Sequence, residues 1–246
     1  MSLVLLHTRY QVLETLRVPI AVVGTTVFPA LSLLFFIAPQ PFADDPVAAT
    51  AGASQLAVFA VLSVCVFSYG VGVAEDRALP WDPYVRTLPA GPVPRLAGRL
   101  LTGLAFAILG LIPLVLLAWA LTAATLEPAR WPLAALALAL SGTPLLFLGL
   151  AVGYALPTKA ALAVAQILLL PLAFAGGLFL PPSTFPDWLD SLSLATPTRA
   201  ARDLVVWATT GDAFPASTVP VLVAWTAVTA IIAIWAYQRD EGRRYR

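Results

Sequence analysis

Six stretches of this chain, approximately 18–38, 53–74, 100–122, 131–156, 160–180 and 216–237, contain no Asp, Glu, Lys, Arg or His. A helix needs ~20 apolar residues to cross ~30 Å of hydrocarbon, and inside lipid its backbone polar groups must be satisfied within the segment itself. Each stretch meets that length, so the expected fold is all-α: a polytopic membrane protein of six transmembrane helices. Of the 246 residues 60% are hydrophobic and 11% charged, against ~45–50% apolar and ~25% charged in soluble domains. The charges fall between the stretches, and residues 1–246 read as a single transmembrane domain. Pro29, Pro113, Pro144 and Pro171 lie inside spans, where neighbouring helices tolerate kinks. No internal repeat is visible.

Formal net charge is +1, which gives no field to attract nucleic acid; only the distribution of charge informs. With six spans both termini share a side. That side holds Arg9, Arg17, Arg77, Arg86, Arg95, Arg99, Lys159, Arg239, Arg243, Arg244 and Arg246, and the other holds Arg130, Arg199 and Arg202. Positive charge marks the cytoplasmic face, which predicts cytoplasmic termini in a cell membrane. Thirteen of the fourteen basic residues are arginine, which with abundant Ala points to a GC-rich bacterial genome such as an actinobacterium's. The stretch 18–38 is too long for a secretory h-region and follows seventeen residues of mixed polarity, so it is expected to be a span.

In the first seventeen residues Leu3, Leu6, Tyr10, Leu13 and Leu16 recur at helical spacing, with His7, Gln11 and Glu14 on another face. This predicts an amphipathic helix on the cytoplasmic interface. His7, the one histidine, has nothing near it in sequence to form a metal set and is expected to be a solvated surface residue. Cys65, the one cysteine, reads as a small buried apolar residue.

Two connections depart from ordinary loops. The cytoplasmic one, 75–99, carries Glu75, Asp76, Arg77, Asp82, Arg86, Arg95 and Arg99 between the apolar anchors Leu79, Trp81, Tyr84, Leu88 and Leu96, as a docking surface would. Its five prolines predict short helical pieces only. The external one, 181–212, opens with Pro181-Pro182 and a predicted N-cap at Ser183 or Thr184. Phe185, Trp188, Leu189 and Leu192 then form one apolar face of a short helix, with Asp187 and Asp190 turned elsewhere. After Pro197 a second short helix is expected, with Ala201, Leu204, Val205 and Ala208 on one side. Both should lie at the outer headgroup level or dip into the bilayer.

These segments resemble the membrane subunits of type-2 ABC exporters, the family of daunorubicin-type multidrug permeases. The resemblance rests on Glu75-Asp76-Arg77, Arg86-Thr87-Leu88-Pro89, Pro94-Arg95-Leu96 and Gly98-Arg99-Leu100-Leu101 around the cytoplasmic connection. Outside, it rests on Gly177-Leu178-Phe179-Leu180-Pro181, Phe185-Pro186-Asp187-Trp188-Leu189 and Pro197-Thr198. Where the family has a Gly-Thr-led helix, this chain has Leu79-Pro80-Trp81-Asp82-Pro83. The resemblance implies a permease in which Glu75, Asp76, Arg77, Arg86, Leu88 and Arg95 couple to two copies of a cytoplasmic ABC ATPase. It also implies a second permease, identical or sibling, and an external re-entrant segment built on Phe185, Trp188 and Leu189.

The chemistry of the chain agrees. An ion-coupled carrier normally keeps an ionisable group in the membrane, and the six stretches hold none. No glycine-rich loop ending Gly-Lys-Ser/Thr is present, and Lys159 sits in the turn Pro157-Thr158-Lys159. The chain is therefore read as a transport subunit, not an enzyme. It is expected to bind no cofactor and no metal itself, with ATP and Mg on its ATPase partner. Neutral polar residues in the spans, of which Gln55 and Gln166 are the substrate-binding candidates, suit an amphipathic drug or lipid-like molecule. The alternative function is a non-transporting membrane scaffold whose 75–99 connection recruits another cytoplasmic partner.

Overall fold

The computed structural model describes the backbone of residues 3–17, 19–80 and 93–244, with side chains except at 15, 19–26, 93–96 and 241–244. Among the described residues the chain is all-helical: α1 (Leu3–Leu16), α2 (Pro19–Phe36), α3 (Pro46–Ala78), α4 (Val93–Leu121), α5 (Trp131–Ala155), α6 (Thr158–Ala175), α7 (Asp187–Ser193), α8 (Pro197–Thr210) and α9 (Thr218–Arg244). Five of these, α3, α4, α5, α6 and α9, are long and apolar enough to cross a membrane. The stretch expected as the first span is α2, whose 18 residues correspond to about 27 Å; Val27–Phe36 forms its shorter apolar part. Pro29, Pro113, Pro144 and Pro171 all lie inside continuous helices.

Helix α3 organises the molecule. Its apolar window is 72% buried, against 17% in α6 and in α9. One side of α3 meets α2 and α4, and α4 also carries α1; the other side meets α5, α6 and α8, with α9 packed on α5 and α8. Although consecutive, α4 and α5 do not pack on one another, and a seam opens between the two groups. Residues Cys65–Val71 of α3 form a π-helical turn. This turn lies against Gly149 and Gly153 of α5, a small-xxx-small pair that admits close backbone approach. A Cβ at Gly153 would stand 2.7 Å from the carbonyls of Tyr69 and Gly70. Neither glycine was singled out from the sequence; their four-residue spacing was the available signal.

The 75–99 connection is shorter than expected. Helix α3 runs on through Glu75-Asp76-Arg77 to Ala78 and ends where extended Leu79 precedes Pro80. Helix α4 already begins at Val93, since a proline at the second helical position loses no intrahelical bond. The remainder, including Trp81, Asp82, Tyr84, Arg86 and Leu88, lies outside the described residues.

In α1 the leucine-tyrosine face (Leu3, Leu6, Tyr10, Leu13, Leu16) is exposed, and the opposite face packs on α4. His7 is half-buried against Gly98, where a Cβ would come within 2.8 Å of its own. The expected solvated histidine is thus a packing residue, because Gly98 leaves it room. Gln11 lies 3.4 Å from the Thr102 hydroxyl. The apolar face of α1 remains free for the membrane interface.

Candidate coupling site

At the end of the bundle that carries the 79–92 connection, four helices are joined by charge. Arg77, in the last turn of α3, donates to the carbonyls of Gly153 (2.6 Å) and Leu156 (3.1 Å) at the end of α5. The same guanidinium is ion-paired with Asp240 of α9 and lies 5.9 Å from the centroid of the Tyr154 ring. Tyr154 in turn meets Tyr237 of α9 edge-on at 5.1 Å. Asp240 is only 5% exposed. One residue earlier, Asp76 pairs with Arg99 of α4. The Thr158 hydroxyl, opening α6, donates to the Ala74 carbonyl (3.2 Å).

The residues expected to couple therefore divide. Glu75 is exposed, Asp76 is engaged with Arg99, and Arg77 is turned into the bundle. Arg99, at the start of the α4 span, has a carboxylate partner within the chain. Arg95 lies in the first turn of α4 with its side chain undescribed, and Arg86 and Leu88 lie outside the described residues. Asp240 was missed by the sequence reading; the signal was a carboxylate within the basic tail Arg239-Asp240-Glu241-Gly242-Arg243-Arg244.

At the opposite end, α6 stops in a six-to-one turn. Leu178 N–H donates to Ala173 and Gly177 N–H to Phe174, with Gly177 at φ +70°. This reverses the chain so that Leu178 and Phe179 plug the core, Phe179 stacking with Phe36, Phe59 and Phe174 at 4.7–5.0 Å. The first short helix begins at Asp187 behind Pro186, two or three residues later than a cap at Thr184 or Ser183 would place it. The side-chain cap belongs to α8, where Thr196 accepts from Arg199 N–H. Phe185, just before α7, and Leu189 on it are half-buried, while Trp188 and Leu192 are exposed.

Helix α8 is embedded rather than superficial. It packs on α3, α5 and α9, and even Arg199 and Asp203 are buried within it. Arg199 donates to Asp203 (2.9 Å), Asp190 (2.9 Å) and the Ser193 hydroxyl (2.7 Å), and Arg202 donates to Asp203 (2.8 Å). The Thr198 hydroxyl donates to the Leu172 carbonyl of α6 (2.7 Å), and Ser54 of α3 meets Thr209 (2.8 Å). Of the substrate candidates, Gln55 is buried inside α3 and Gln166 is exposed on α6, so the fold does not bring them together. Among the described residues no cluster of His, Cys, Asp and Glu could hold a metal ion.

The profile of the ABC-2 type transporter family matches residues 3–209, from α1 to the end of α8. The chain belongs to the ABC-2 type transporter family. An ABC-2 permease is the membrane part of its transporter, with no ATPase domain; such subunits typically bind no cofactor and generally pair with an ABC ATPase. The chain is also 22% identical over 138 residues to "Putative transport permease YvfS" of Bacillus subtilis (strain 168). That alignment covers 56% of this chain and 56% of the Bacillus protein, so the chain spans about half the length of the curated relative it matches.

Proposed function

We propose that this ABC-2 permease is an exporter subunit whose work comes from a separate cytoplasmic ATPase, two copies of which act on a pair of permeases. The observation that supports this most directly is the joining of α3, α4, α5 and α9 through Asp76, Arg77, Arg99 and Asp240 beside the 79–92 connection. A push delivered to the end of α3 reaches all four helices through these contacts. Both termini and residues 79–92 are cytoplasmic in this reading, α2 is the sixth span, and 181–212 faces outward. Arg86, Leu88, Arg95 and the exposed Glu75 provide the docking contacts, while Asp76 and Arg77 transmit the movement. Phe185, Trp188 and Leu189 form the external re-entrant element. The substrate is an amphipathic drug or lipid-like molecule, since apolar and neutral polar groups line the spans.

Copurification and transport test this. The chain should carry a soluble ABC ATPase with it, and Arg86→Ala and Arg95→Ala should each weaken that association while membrane insertion stays normal. Losing one partner of a desolvated charge contact commonly costs ~2–5 kcal/mol. Export should persist when the proton gradient is collapsed at constant ATP. Loss of export under an uncoupler at unchanged ATP would contradict the reading.

A further inference from the structure

The seam between α4 and α5 is a laterally open groove of about 850 Å³, floored by α3 and lined at one end by Val205 and Thr209 of α8. It runs along α4 from Leu100 to Trp119, a rise of about 28 Å, nearly the full hydrocarbon thickness. Its walls are aliphatic: Leu104, Ile108 and Leu111 of α4 face Ala135, Leu138 and Ala139 of α5, and no charged residue lines it among the described residues. The floor is shaped rather than merely unfilled. Tyr69 of α3 lies over Gly103, which has no side chain to obstruct it, and donates to the Leu100 carbonyl (3.0 Å).

The two ends differ. At the α4–α5 connection the lining turns polar, with Thr50, Ser54, Thr125 and Thr209. The Thr50 hydroxyl meets the Thr125 carbonyl (2.8 Å) and N–H (2.9 Å) there, which ties the connection to α3. Trp119 and Trp131 flank that mouth, 76% and 50% exposed; tryptophan settles where hydrocarbon gives way to headgroups. Toward the opposite end the walls at Leu104 and Ile108 are apolar, and the Tyr69 hydroxyl beyond them is already engaged by the Leu100 carbonyl.

We propose that this groove holds an acyl chain of a bilayer phospholipid, with its glycerol end at the Trp119–Trp131 mouth and its methyl end toward Leu104. Helices α4 and α5 are membrane spans, so what meets an open apolar slot between them is hydrocarbon. Water is excluded because the walls offer no hydrogen bonds along most of the length. A charged ligand is disfavoured because no described lining residue would neutralise it. The one-ended polarity matches an amphiphile and fixes its direction. The proposal does not depend on the proposed transport direction.

Phospholipids carrying a diazirine either near the acyl carboxyl or at the terminal methyl, incorporated with the full chain into phosphatidylcholine nanodiscs, test it. After photolysis, adducts should concentrate in the groove several-fold over the lipid-facing sides of α6 and α9. The carboxyl-proximal probe should mark residues near Trp119, Thr125 and Trp131, and the methyl-end probe those near Leu104 and Ile108. Ala139→Trp, and independently Ala107→Phe from the facing wall, should remove the groove adducts several-fold, whereas Ile167→Trp on α6 should not. Uniform labelling of every lipid-facing helix would overturn the proposal, as would reversed probe positions. So would cysteine cross-linking of position 139 to a second copy at the expense of the adducts, which would mean that protein fills the groove.

Discussion

Two arginine–aspartate assemblies hold the two ends of this bundle, and they are built on opposite plans. At one end Arg77–Asp240 and Asp76–Arg99 join residues 163 and 23 positions apart, on three different spans or their extensions. At the other, Asp190, Ser193, Arg199, Arg202 and Asp203 bond within one stretch of two short helices. A long-range pair is sensitive to helices moving past one another; a local one travels with its segment as a rigid piece. The first is suited to passing motion between spans, and the second to keeping α7 and α8 a single plug. Burial sharpens the contrast, since removing one member of a buried pair leaves the other charge uncompensated.

The largest effect should come from the long-range end. Asp240→Ala leaves the Arg77 guanidinium, 15% exposed, without its carboxylate, a loss of about 3–5 kcal/mol. It should appear as a lower melting temperature and as increased hydrogen exchange in α3 and α9 together. Next, Arg199→Ala should cost about 1–3 kcal/mol, less because Asp203 keeps Arg202 and Asp190 is 45% exposed. Its exchange increase should stay within 187–203; spread to residues near Arg77 would break the distinction between the ends. The smallest effect belongs to Arg99→Lys, which keeps a cation opposite a partly exposed Asp76 and should shift stability by about 1 kcal/mol or less. Asp76→Arg with Arg99→Asp should then recover most of what Asp76→Arg alone loses.

The spans were legible because lipid admits few alternatives: uncharged runs of sufficient length become helices, and the observed termini of α5 and α6 fall within a few residues of 131–156 and 160–180. The helix contacts were not. Hydropathy treats Arg199 and Asp203 as signs of exposure, yet at four-residue spacing they neutralise one another and bury together. The same blindness hid Asp240, which is buried at the tail of a helix whose neighbours are basic. In α1 the pattern identified the amphipathic helix, but not that its polar side packs on α4, because that depends on the missing side chain of Gly98. Arg77 was expected to face a partner protein; only the fold reveals that Gly153 and Leu156 present carbonyls to it.

In the proposed function Arg77 and Asp240 carry movement from the end of α3 to the last span, and a comparison of transport with ATP hydrolysis in the assembled complex tests that role. Arg77→Ala, Asp240→Ala and the double variant should each keep the ATPase bound and hydrolysing while transport falls, with the double variant no worse than the more impaired single one. Undiminished transport in both single variants, or losses that add in the double variant, would contradict the account.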